Sequence, residues 1–176
     1  MIPTIDTLNF VLSTGGIALL GATAFLVFDY NKDKTLQPLV KKWGMRSAFL
    51  ITIGGLAVTL VYSEVFGFVP CGLCWLQRVF LYPQIFIIGT SMYLKDKVFA
   101  PVYGIVLSSL GLIIALYQHY LQMGGIDIAG CPTTGEHTDC AERILFEYGF
   151  MTFPLLSAVL FLFLIVLYWY IYKSRD

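Results

Sequence analysis

Charge is what this chain has least of. Only 12% of its 176 residues are Asp, Glu, Lys or Arg, with eleven of each sign and a net charge of zero. A soluble domain carries about twice that share, so an ordinary globular protein is excluded, and with no basic excess no nucleic-acid partner is expected. Period-two alternation is also missing, which argues against a membrane β-barrel. Histidine is nearly absent, with His119 and His137 alone, and the single Cys-X-X-Cys has no second copy. The spacing of a zinc site is therefore lacking and no metal is expected. Nor does a basic stretch precede the first apolar run, so Ala22-Thr23-Ala24 is not expected to act as a signal-peptide cleavage site, and the first segment is expected to be retained.

What is present is apolar: 58% of the residues, with a mean hydropathy of +0.78. Five stretches, near 8–28, 48–68, 71–94, 100–122 and 153–172, approach the roughly 20 residues that carry a helix across a bilayer. The expected fold is an all-α integral membrane bundle of five transmembrane helices. Residues 1–47 would form an N-terminal helix with a cationic linker at 29–47, and residues 48–176 a four-helix core carrying a loop at 123–152.

Basic residues set the expected orientation. Lys32, Lys34, Lys41, Lys42 and Arg46 lie in the linker, Lys95 and Lys97 in the turn after the third span, and Lys173 and Arg175 in the tail. With five spans all three sites fall on one side, the cytoplasmic one. The other side receives the N-terminus and the loop 123–152. That loop has Arg143 as its only Lys or Arg, among Asp127, Glu136, Asp139, Glu142 and Glu147.

This topology puts all four cysteines outside. Cys71 and Cys74 open the third span and Cys131 and Cys140 sit in the loop, facing a compartment where disulfides persist. For Cys131 and Cys140 a structural staple and a redox pair fit equally well. A bond across only two residues at Cys71-Gly72-Leu73-Cys74 removes little chain entropy, so redox chemistry is its better use. A helix N-terminus there would favour the thiolate.

Arg78 is the one Lys or Arg placed inside a span, where an ionisable group costs at least a few kcal/mol unless paired or wet. It follows Cys74 by four residues and Cys71 by seven, which puts all three on one helical face. Snorkelling to the headgroups is the alternative use. His119, near the outer end of the fourth span, is a candidate for the same pocket or an interfacial residue. Pro83 would kink the third span, making room for a ligand or serving packing alone. The run Ile144-Leu145-Phe146 with Tyr148, Phe150 and Met151 suits a short interfacial helix or a plain re-entry segment.

Taken together, Cys71-Gly-Leu-Cys74-Trp75-Leu-Gln77-Arg78, Leu81-Tyr82-Pro83, Tyr117-Gln118-His119 and Cys140-Ala141-Glu142-Arg143 resemble the DsbB (BdbC-like) disulfide-bond formation proteins, from about residue 48 onward. The resemblance implies a thiol:quinone oxidoreductase. A thioredoxin-like, DsbA-type partner would attack the loop disulfide at Cys131, Cys140 would exchange with Cys71, and Cys74 would pass two electrons to ubiquinone or menaquinone. Cys71, Cys74, Cys131 and Cys140 would be catalytic, and Arg78, His119 and Cys74 would hold the quinone.

This chain departs from the family in its extra N-terminal span and in the eight residues that separate the loop cysteines. Two other classes compete. A reductive electron conduit needs a cysteine pair reachable from the inside. A disulfide-stapled scaffold leaves Cys71, Cys74 and Arg78 without a task. In vitamin K epoxide reductase-like enzymes the loop pair precedes the quinone-side pair, the reverse of the order here.

Overall fold

A computed structural model describes residues 5–32, 34–96, 98–128, 130–131 and 139–174. Lys97, Glu136, His137 and Arg175, which entered the expectations above, lie outside the described residues.

The chain forms five long helices: α1 (Ile5–Asn31), α2 (Gln37–Leu60), α3 (Gly72–Leu94), α4 (Phe99–Gln122) and α5 (Phe153–Lys173). A π-helical turn, Val61–Val65, extends α2. Four helices are long and apolar enough to cross a membrane: α1, α2 with its π turn, α4 and α5. The third, α3, matches them in length at 23 residues but carries Gln77, Arg78, Pro83 and Gln84, and is not among the four on composition. This is a helical membrane bundle in which α3, the helix opened by the Cys-X-X-Cys, buries Gln77, Arg78 and Gln84.

The central helix is α5, which packs against α1, α2 and α4 and buries Phe161, Leu164, Leu167 and Tyr168. Lipid offers no hydrophobic drive between helices, so close backbone approach carries the association. Glycines of α4 provide it: a Cβ on Gly104 would come within 2.5 Å of the Tyr168 ring, and one on Gly111 within 2.4 Å of the Phe161 ring. Between them, buried Gln84 Oε1 accepts from Tyr168 OH (3.0 Å) and Ser108 Oγ (3.3 Å), linking α3, α4 and α5. Polar groups at this depth need such internal partners.

One expectation is corrected and one pair of alternatives is narrowed. The linker placed at 29–47 is mostly helix, because α2 begins at Gln37 with Pro38 in its first turn, where a missing N–H costs nothing. Lys41, Lys42 and Arg46 therefore lie on α2, and the boundary expected at residue 47 falls within it. The turn from α1 to α2 is closed by buried Asp29, which accepts from Thr35 N (3.1 Å), Leu36 N (3.1 Å) and, across the bundle, Tyr170 OH (2.7 Å).

Next, of the two readings of the segment after Cys140, a short interfacial helix or a plain re-entry segment, the helix does not form. It is a hairpin of β1 (Phe146–Glu147) and β2 (Met151–Thr152), paired antiparallel with Phe146 opposite Thr152 and closed by Tyr148 and Gly149, both at positive φ. Thr152 then caps α5, its hydroxyl accepting from Leu155 N. Pro83 lies within α3 and faces outward.

Candidate functional site

The site is built where the N-terminal end of α3 and the C-terminal end of α4 meet the loop. Cys71 is the N-cap of α3, and its sulfur accepts from Cys74 N at 3.4 Å, as a capping oxygen does elsewhere. One turn separates the two cysteines, so both side chains lie at the positive end of the helix. Their Sγ atoms are 2.9 Å apart as two thiols, in contact and unbonded.

Gln118 of α4 reaches across to this pair. Its Nε2 donates to Cys71 Sγ and to Cys74 Sγ, each at 3.2 Å. The amide is fixed in turn by Gln77, whose Nε2 donates to Gln118 Oε1 at 2.6 Å. Gln77 and Gln118 are both buried. One turn further into the bilayer Arg78 is 8% exposed; its Nη2 donates to Thr59 O (2.9 Å) and Ser63 Oγ (3.3 Å), and its guanidinium stacks on Trp75 at 5.2 Å. The guanidinium thus turns inward to α2 beside the π turn, an irregularity that recurs at functional sites.

The second pair is bonded: Cys131 and Cys140 form a disulfide with their Cα atoms 5.9 Å apart. Cys140 is 1% exposed and Cys131 partly exposed. Both pack in the same cluster as Cys71 and Cys74, with Leu73, Leu121, Ile114 and Tyr117. Two anchors hold the loop there. Asp127 accepts from Cys131 N (3.1 Å) and Gly130 N (2.8 Å). At the other end Gln122 Nε2 donates to Glu142 O (2.6 Å), while Arg143 Nε donates back to Gln122 O (2.5 Å). The eight-residue spacer therefore does not keep Cys140 from the neighbourhood of Cys71.

Beside the thiols opens a cavity of about 410 Å³. One end is polar, with Cys71, Cys74, Gln77, Arg78, Gln118 and Gln122 joined by Asp139 and Glu142, and the rest is walled mainly by apolar side chains of α1, α2 and α5, with Thr59, Ser63 and Ser157 among them. That size suits a small organic ligand, for which sites run to roughly 300–1,000 Å³.

Residues 41–171 match the family profile described as "Disulfide bond formation protein DsbB". The chain belongs to this family. It is 33% identical over 137 residues to "Probable disulfide formation protein C 2" of Bacillus cereus, covering 78% of this chain and 96% of the relative. To the "SPbeta prophage-derived disulfide bond formation protein B" of Bacillus subtilis it is 40% identical over 116 residues, 64% of this chain and 74% of the relative. A "Probable disulfide formation protein" of Chlamydia caviae is 36% identical over 115 residues, 65% and 80% of the two chains. No solved structure matches. Family membership makes this a multi-pass membrane oxidoreductase of disulfide-bond formation.

Of the residues singled out in the sequence for this DsbB-family chain, the structure brings together Cys71, Cys74, Cys131, Cys140 and Arg78. His119 does not line the cavity. Its Nδ1 is hydrogen-bonded to Thr152 Oγ1 at 2.8 Å, on the side of α4 facing the start of α5. Sequence reasoning assigned no task to Gln77 or Gln118. The signal was present in the spacing, since Gln118 and Gln122 are four apart on α4 and share the face that meets the cysteines.

Proposed function

We propose that this chain is a membrane thiol:quinone oxidoreductase that reoxidises a thioredoxin-like, DsbA-type extracytoplasmic dithiol protein and delivers two electrons to the membrane quinone pool, ubiquinone or menaquinone. The observation that carries this reading is the gathering of both cysteine pairs into one buried cluster, beside a cavity with one polar end and mainly apolar walls. N-terminus and redox loop face outward and the C-terminus faces the cytoplasm, in keeping with the basic residues of the α1–α2 region and the tail.

Electrons enter at Cys131, the more accessible sulfur of its pair. A partner thiolate attacks Cys131 Sγ, forming a mixed disulfide and releasing Cys140 as the thiolate. Cys140 attacks Cys71 of the oxidised Cys71–Cys74 pair, and Cys74 leaves with two electrons. The partner's second thiolate resolves the mixed disulfide, freeing Cys131, which attacks Cys140 and releases Cys71. The loop disulfide is restored, and the partner has become a disulfide at the expense of Cys71 and Cys74. Electrons then leave from the state with the loop disulfide closed and Cys71 and Cys74 reduced.

The residues around the sulfurs suit that departure. Gln118 donates to both, stabilising a thiolate in a place with little water. Arg78 adds a fixed positive charge one turn below Cys74. The cavity's polar end and apolar body fit a quinone, which supplies the oxidant when bound, taking two electrons and two protons. Cys74, Arg78 and Gln118 would face its ring, and His119, bonded to Thr152 away from the cavity, would not. All four cysteines lie at one end of the bundle, an arrangement that does not suit a conduit carrying electrons across the bilayer.

Quinone reduction by the purified protein, supplied with a reduced thioredoxin-like dithiol protein, tests the reading. Wild type should turn over while Cys74→Ser and Cys131→Ser stop. Full activity in Cys74→Ser, or no turnover by wild type with any such partner, would remove it.

A further inference from the structure

The helix that precedes the matched region has a place in the site. Val11, Leu12, Gly15, Gly16 and Leu19 of α1 line the cavity along about 12 Å of helix. Opposite them stand Gly55 and Val58 of α2, and Leu156 and Leu160 of α5 form the floor. The upper end of α1 is fastened on both sides. Tyr62 OH of α2 donates to Asn9 Oδ1, and Thr14 Oγ1 meets Tyr148 OH of the hairpin at 2.9 Å. Between and just below these ties the wall is thin: Val11 is 58% exposed, Gly15 is exposed, and a Cβ on Gly15 would meet nothing within 4 Å. Gly16, one position on, is closed against Leu156. The cavity thus reaches the lipid-facing side of the bundle beside Gly15, between α1 and α2.

Resting on the quinone reading above, we propose that α1 is the edge of a lateral portal: a quinone's polyisoprenoid tail leaves the cavity past Gly15 into the lipid, while the ring stays at the polar end. The amphipathic cavity argues for this occupant. A ligand with a polar head and a long hydrocarbon chain satisfies both ends, and a lipid-soluble molecule enters most directly from the side.

The test is equilibrium binding followed by quenching of the tryptophan fluorescence, to which Trp75 contributes beside Arg78. Two probes share one ring: menadione, and the same naphthoquinone carrying a polyisoprenoid tail. Gly15→Leu places bulk in open space at the portal and is expected to weaken binding of the tailed probe relative to menadione by about tenfold. Val11→Trp, on the same wall, should act likewise if Gly15→Leu is poorly made. Gly21→Leu, on a part of α1 that does not line the cavity and where a Cβ also meets nothing, should keep the wild-type ratio. An unchanged ratio in both portal variants, with wild type binding both probes, overturns the portal and leaves the quinone reading standing. If wild type binds neither probe, both fall.

Discussion

Gln118 Nε2 stands 3.2 Å from Cys74 Sγ, the sulfur proposed to release electrons. A buried amide so placed stabilises sulfur most when it is anionic, because hydrogen bonds to charged groups are worth about 1.5–3 kcal/mol. Gln118→Leu is therefore expected to slow electron transfer from Cys74 by about tenfold or more. Gln77→Leu, which only frees the Gln118 amide to turn, should do so less. Stopped-flow quinone reduction by the pre-reduced variants measures both, and equal rates for Gln118→Leu and wild type would deny the amide any part.

Arg78 satisfies Thr59 O and Ser63 Oγ while keeping its charge at the cavity. Arg78→Met removes charge and donors together and should weaken quinone binding by at least about tenfold, whereas Arg78→Lys, retaining charge without the planar fork, should fall between. A quinone titration of the three proteins decides it. Identical affinities would reduce Arg78 to a structural tie between α3 and α2.

The packing of α4 on α5 predicts a loss of stability with no chemical component. Gly111→Val forces a branched side chain into the Phe161 ring and should cost about 1–3 kcal/mol. Tyr168→Phe, which removes one donor to Gln84, should cost about 1 kcal/mol or less. Denaturant unfolding in mixed micelles, read by circular dichroism, gives both values.

A pH dependence follows from Asp96, in the turn before α4. Backbone N–H groups of Val98, Phe99 and Ala100 donate to its carboxylate and hold its pKa below the usual value of 3.8. A depressed carboxyl stabilises the fold above its unfolded pKa and loses that contribution as pH falls through the folded value. The stability of the wild type should therefore decline below about pH 4, and Asp96→Asn should lack this part of the decline. At neutral pH Asp96→Ala should cost about 1 kcal/mol, as for other helix caps. Thermal melts from about pH 7 down to about pH 2, a range that passes the ordinary carboxyl value of about 4, test the sign.

Much of this was legible in the residues. Apolar runs located all five helices, because in a bilayer backbone satisfaction leaves the helix as the only open choice for such segments. Cys71, Cys74 and Arg78 could be put on one face from spacing alone. The start of α2 was not legible: lysines that look like linker are also good helix formers, and Pro38 reads as a break unless its first-turn position is known. The hairpin after Cys140 was missed because its apolar residues suit either period. His119 and Gln118 show the finest limit. Adjacent residues on a helix point about 100° apart, so only one of them can face α3, and which one depends on how α4 is rotated by Gly104 and Gly111 against α5. That rotation is a property of the packed bundle.

The reciprocal clasp of Gln122 with the Glu142 carbonyl and the Arg143 side chain has a kinetic consequence for the proposed relay. It ties Cys140 to the end of the helix that also carries Gln118, so the loop sulfurs and the α3 sulfurs belong to one frame. If the pairs exchange as proposed, they do so at a high effective molarity, with no search to make. The encounter with the proposed partner would then be the step governed by concentration, and loosening the clasp would transfer rate control from that collision to a motion inside the protein.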